Sequence, residues 1–82
     1  MKLDKAVALA KDFFTQNGFT YKFQIAFRSQ TYWFEVELEK WEACGRVLYH
    51  VEFKASGPES LRNALLNWIK DVFGVDICEK DG

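Results

Sequence analysis

From Leu3 to Asn17 the apolar residues recur at helical spacing. Leu3, Ala6, Val7, Ala10, Phe13 and Phe14 fall on one face, with Lys5, Lys11, Asp12 and Gln16 away from it. Asn17-Gly18 stops the pattern, since glycine takes the left-handed position after a helix without steric cost, and Phe19 follows where the usual hydrophobic contact is made. The period then changes to two. Tyr21, Phe23, Ile25 and Phe27 alternate with Lys22, Gln24, Ala26 and Arg28. Tyr32, Phe34, Val36 and Leu38 alternate with Trp33, Glu35, Glu37 and Glu39. Val47, Tyr49, Val51 and Phe53 alternate with Arg46, Leu48, His50, Glu52 and Lys54. Such alternation predicts three antiparallel strands covered on one side only.

Short connections at Ser29-Gln30 and Cys44-Gly45 make the strands a meander with the second in the centre. The first turn sets Lys22 opposite Glu37 and Ala26 opposite Trp33. The second, read as a two-residue Cys44-Gly45 loop, sets Trp41 opposite Leu48. A second helix follows in "SGPESLRNALLNWIKDVFG", where Ser56 and Glu59 have capping-box spacing and Pro58 sits in the first turn. Leu61, Ala64, Leu65, Trp68, Ile69 and Val72 make its buried face, and Gly74 ends it. Leu66 and Phe73 lie to one side, within reach of the first helix, of Val75-Asp76-Ile77 or of a partner. The order α-β-β-β-α predicts an α+β two-layer sandwich, with both helices on the apolar face of the sheet. The apolar set of all three strands is expected to face those helices.

The other face of the sheet carries charge. Glu35, Glu37 and Glu39 on the middle strand are flanked by Lys22 and Arg28 on one side and by Arg46, His50 and Lys54 on the other. Opposite charges on neighbouring strands contribute about 0.2–1 kcal/mol per pair and keep an open sheet soluble. The glutamate stripe therefore reads mainly as sheet electrostatics.

Eighty-two residues with 49% hydrophobic and 17% aromatic content make one domain over residues 1–82, with a tail from about residue 78 expected to be flexible. A net charge of −1 lacks the basic excess of nucleic-acid and anionic-membrane binders. No apolar run approaches a bilayer span, and charges interrupt the first twelve residues where a signal peptide needs an apolar core, so a cytoplasmic location is expected. The first helix mixes Lys and Asp on its polar side, which gives no basis for lying on a membrane. Two separated cysteines, Cys44 and Cys78, with one histidine offer neither a disulfide scaffold nor a zinc set, so free thiols are expected and no metal or cofactor is assigned.

The element order is that of double-stranded-RNA-binding domains, but their chemistry is missing. Those domains meet phosphates with a lysine cluster at the start of the second helix and a long first hairpin loop. Here the helix opens Ser56-Gly57-Pro58-Glu59-Ser60-Leu61-Arg62 and the loop is Ser29-Gln30. Order alone does not imply function. His50 is the one side chain that titrates near neutrality, exposed beside Glu37 or Glu39, but no nucleophile accompanies it. No catalytic residue is assigned. Outward-facing aromatic and aliphatic groups remain. Trp33 and Trp41 stand about 26 Å apart along one strand and cannot form one cage. The Trp41–Leu48 pair is a small hot-spot candidate.

These residues point to a small, cytosolic, non-enzymatic domain that binds a protein partner or a copy of itself through the open sheet face. Trp41, Leu48, Trp33, Glu37, Glu39 and His50 are the candidate contacts. A nucleic-acid-binding module using Lys22, Arg28, Arg46 and Lys54 is the first rival, and a small-ligand or enzymatic domain the second.

Overall fold

The computed structural model describes residues 2–77, so the tail from about residue 78, with Cys78, lies outside the described residues. Its order is α1 (Leu3–Gln16), β1 (Thr20–Arg28), β2 (Thr31–Glu42), β3 (Gly45–Ala55) and α2 (Pro58–Phe73), with the strands in one antiparallel sheet ordered β1-β2-β3. Phe34, Val36 and Leu38 of β2 form one buried cluster with Ala10 and Phe14 of α1 and with Leu61, Leu65 and Ile69 of α2. Both helices therefore pack against the same face of the central strand. No polar side chain is buried among the described residues, so the interior is held by apolar and aromatic contact alone.

The end of α1 is a Schellman motif. Gly18, at φ +82°, donates its N–H to the Thr15 carbonyl, and Phe19 donates to the Phe14 carbonyl. The Phe14 and Phe19 rings meet at 6.4 Å, which fixes how the chain leaves the helix. The cap of α2 differs from the capping box expected at Ser56. Pro58 occupies the first helical position, so the cap falls on Gly57, which makes no side-chain hydrogen bond. On the same helix Val72 is exposed and Phe73 turns inward, its ring within 6.0 Å of those of Phe13, Phe14, Phe19, Tyr49 and Trp68. Phe73 is partly buried against the core and, of the contacts open to it, makes the one with the first helix.

The first hairpin has the expected register, with Lys22 opposite Glu37 and Ala26 opposite Trp33. Ser29 and Gln30 turn it with φ of 52° and 61°, the left-handed pair of a type I′ turn built without glycine. The second hairpin is shifted from its expected place. Glu42 pairs with Gly45, so Ala43-Cys44 is the loop, and Trp41 lies opposite Arg46 instead of Leu48. Gly45 uses its freedom, at φ +134°, to open β3 rather than to make the turn.

The helices do not reach over the whole apolar face. β2 has 12 residues and spans about 41 Å at ~3.4 Å per residue, close to the 43 Å longest dimension of the domain. α1 and α2, with 14 and 16 residues, extend only about 21 and 24 Å. Ile25 and Phe27 pair with Phe34 and Tyr32 and so point to the helix side, yet they remain 49% and 59% exposed. Tyr21 is also exposed. The expectation that the helices cover every inward residue of β1 thus fails at three of its four positions. On the other edge, Val47, Tyr49, Val51 and Phe53 are all partly buried.

Candidate functional site

Two surfaces carry unspent chemistry: the open face of the sheet and the outer edge of β1. On the open face most charges are already matched. Arg46 lies 3.2 Å from Glu39 and places its guanidinium 5.6 Å from the Trp41 ring centre. Lys54, directly opposite Trp33, holds its ammonium 4.2 Å from that ring, and Arg28 approaches the same ring at 5.5 Å. Trp33 is therefore half-buried between two cations. Glu37 is exposed between its cross-strand partners Lys22 and His50.

His50 does not use the carboxylate opposite it. Its Nε2 lies 2.9 Å from Glu35 and 4.0 Å from Glu52. Glu35 and Glu52 are themselves cross-strand partners, and like charges so placed repel. The imidazolium, donating to Glu35, relieves that repulsion. The hydrogen bond to Glu35 raises the His50 pKa above its ordinary 6.5, with the charges of Glu35, Glu52 and Glu37 adding to it. The same bond lowers the Glu35 pKa below 4.5. Glu39, one of the two carboxylates expected beside His50, is instead opposite Leu48 and bound to Arg46.

Glu35, Glu37 and His50 each offer one ligand atom, all within 4.8 Å of one another. A cation there needs a deprotonated imidazole, and Glu35 stabilises the protonated one. The cluster behaves first as an ion pair.

Trp41 and Leu48, 71% and 58% exposed, are diagonal neighbours rather than opposite residues, with Leu48 facing Glu39. The other diagonal of the same four residues is taken by the Arg46–Glu39 pair. Of the six candidate residues, Glu37, Glu39, Leu48 and His50 line one shallow hollow on the open face, and Trp33 and Trp41 lie outside it.

The second surface follows from the strand order itself, which leaves β1 and β3 as unpaired edges, although residue chemistry ranks the Trp41–Leu48 patch slightly ahead of either. β1 is an edge strand of nine residues in unbroken register, without proline or bulge. Its outer backbone groups have no strand partner, and its inward side chains Tyr21, Ile25 and Phe27 lie outside the core cluster. Natural edges are usually blunted by charges, prolines or bulges; β1 has Lys22 and Arg28 on its open side, which protect it in part, but no inward charge, proline or bulge. What alternation does not show is the exposure of Ile25 and Phe27, whose signal was the arithmetic of element lengths.

Compared with known protein families, curated proteins and solved structures, the chain has no match. Among the described residues no helix is long and apolar enough to cross a membrane.

Proposed function

We propose that this chain is a small cytosolic protein-interaction domain that acts by binding rather than catalysis, and that it recognises protein through the free edge of β1. The observation that carries this reading is the exposure of Ile25 and Phe27 beside an unpaired backbone edge. A strand added there gains main-chain hydrogen bonds, while the exposed apolar side chains supply the buried area. The engagement of Arg28, Arg46 and Lys54 by Trp33, Trp41 and Glu39 weighs against a phosphate-binding surface, because those cations are already held.

The exposed Trp41 and Leu48 favour a second docking point on the open face. Capture from the native cell separates the two. Wild type and a Trp41→Ala/Leu48→Ala variant are expected to retain the same protein, and Phe27→Lys to lose it. Retention by Phe27→Lys with loss by the double variant moves the site to the open face. Sub-micromolar affinity for any RNA or DNA at physiological salt overturns the protein-binding reading altogether.

A further inference from the structure

We infer that the occupant of the β1 edge is a second copy of this chain, paired β1 to β1 about a two-fold axis through Gln24. The inference rests on the proposed role of β1 as the recognition edge and commits it to one partner.

The two halves of β1 differ in what α1 supplies to them. At its beginning, Phe23 stacks on Phe14 of α1, and Lys11 of α1 lies within 5.8 Å of the Tyr21 and Phe23 rings. At its end, Ile25 and Phe27 have no helix above them to match. Antiparallel pairing of two identical strands sets the half of one that α1 reaches, though it fully covers neither Tyr21 nor Phe23, against the uncovered half of the other. α1 of each copy then stands at the level of its partner's exposed residues. An arbitrary strand supplies no such helix, so the surface is complementary to itself in a way specific to a second copy.

The register follows from side-chain direction and charge. Residues directly opposite in an antiparallel pair share a face, so the paired numbers must sum to an even value for both sets of helices to lie on one side. A sum of 48 pairs β1 end to end, Thr20 with Arg28 of the other copy, and no other even sum does so. It sets Tyr21 against Phe27 and Phe23 against Ile25 of the other copy on the helix side. On the open side it sets Lys22 against Ala26, and Gln24 against itself. A sum of 50 would oppose Lys22 and Arg28, a like-charge clash. A sum of 46 strands Phe27 beyond the pairing. The product is a continuous six-stranded sheet with four helices on one face. Because the contact is the same patch on both copies, it closes at two.

The test uses the full chain in a Cys44→Ser/Cys78→Ser background. Sedimentation equilibrium over a concentration series is expected to approach twice the 9.6 kDa chain mass, and Phe27→Lys to return it to the single-chain mass with unchanged circular dichroism. Gln24→Cys is expected to form an intermolecular disulfide on mild oxidation, because opposed Cα atoms about 4.5–5.5 Å apart suit one. Lys22→Cys is expected not to, its own copy lying about four residues away along the paired strand, ~13 Å. Ala26→Glu adds two cross-strand pairs with Lys22 and is expected to tighten the dimer about two- to thirty-fold, a gain that misfolding does not imitate.

Wild type sedimenting as a single chain at every concentration overturns the second copy. If Phe27→Lys then still loses a protein that wild type captures, the edge reading stands without it. If Phe27→Lys changes neither mass nor capture, both fall. A dimer that cross-links through Lys22→Cys but not Gln24→Cys, or that Ala26→Glu weakens, overturns the register.

Discussion

His50 reaches past Glu37, the residue opposite it, and places Nε2 2.9 Å from Glu35. This diagonal bond makes one pH-dependent contribution to the stability of the domain. The raised His50 pKa means its contribution is complete below 6.5, the ordinary value, and is lost as pH rises through the folded value. The lowered Glu35 pKa means its contribution is present above 4.5 and lost as pH falls through the folded value. The pair therefore stabilises most between those limits, modestly, because both groups meet solvent. Nuclear magnetic resonance titration should place the His50 midpoint above 6.5, and His50→Gln should flatten the decline of thermal stability on the alkaline side. A His50 midpoint below the ordinary value, unchanged by Glu35→Gln, contradicts the pairing.

The Ser29-Gln30 turn places two ordinary residues at positive φ. A left-handed conformation costs a residue with a Cβ about 1–2 kcal/mol, and glycine escapes that cost. Gln30→Gly should therefore stabilise the domain by about 1 kcal/mol, raising the thermal midpoint roughly 4–8 °C for a chain of this size. Calorimetry of the two proteins at one concentration checks it. No increase would mean the turn relaxes to another geometry in solution.

Phe34 is 1% exposed in the first half of β2 and meets the rings of Phe23 and Phe53 across both neighbouring strands. Phe34→Ala should cost about 3–5 kcal/mol, enough to leave a domain this small largely unfolded. Urea denaturation followed by tryptophan fluorescence reads the loss directly. A cost below about 1 kcal/mol would contradict the placement of this ring in the core.

Trp41→Ala with Leu48→Ala should leave the fold intact, with a stability change within about 1 kcal/mol. Arg46 loses an aromatic contact but keeps Glu39. Matching circular dichroism and thermal midpoints are the expected result, and cooperative unfolding at markedly lower temperature would show that Trp41 packs structurally.

Much of this architecture was legible in the residues. Alternation named the strands, and the Ser29-Gln30 turn placed Lys22 against Glu37. What was not legible has physical causes. Gly45 is a natural turn residue, but positive φ is also used to open a strand, and that displaced the second hairpin loop. Val72 and Phe73 are neighbours on a helix arc, so periodicity alone could not decide which turns inward. Five nearby rings decided it. Alternation reveals which way Ile25 and Phe27 point but not whether anything lies above them. On the open face, spacing correctly set His50 beside Glu37 but did not show its hydrogen bond to Glu35, which depends on side-chain reach.

The ring of Phe73 touches both Phe13 and Phe14 of α1, Phe19 in the following turn, Tyr49 of β3 and Trp68 of its own helix. Helix ends ordinarily fray, opening locally at little cost in free energy. Here the last turn of α2 cannot lift without withdrawing one ring from the first helix, the turn after it and the last strand together. Opening that terminus is thus an opening of the whole interior. Amides of its final turn should exchange with deuterium nearly as slowly as those of β2, making the domain one cooperative unit from Phe13 to Phe73.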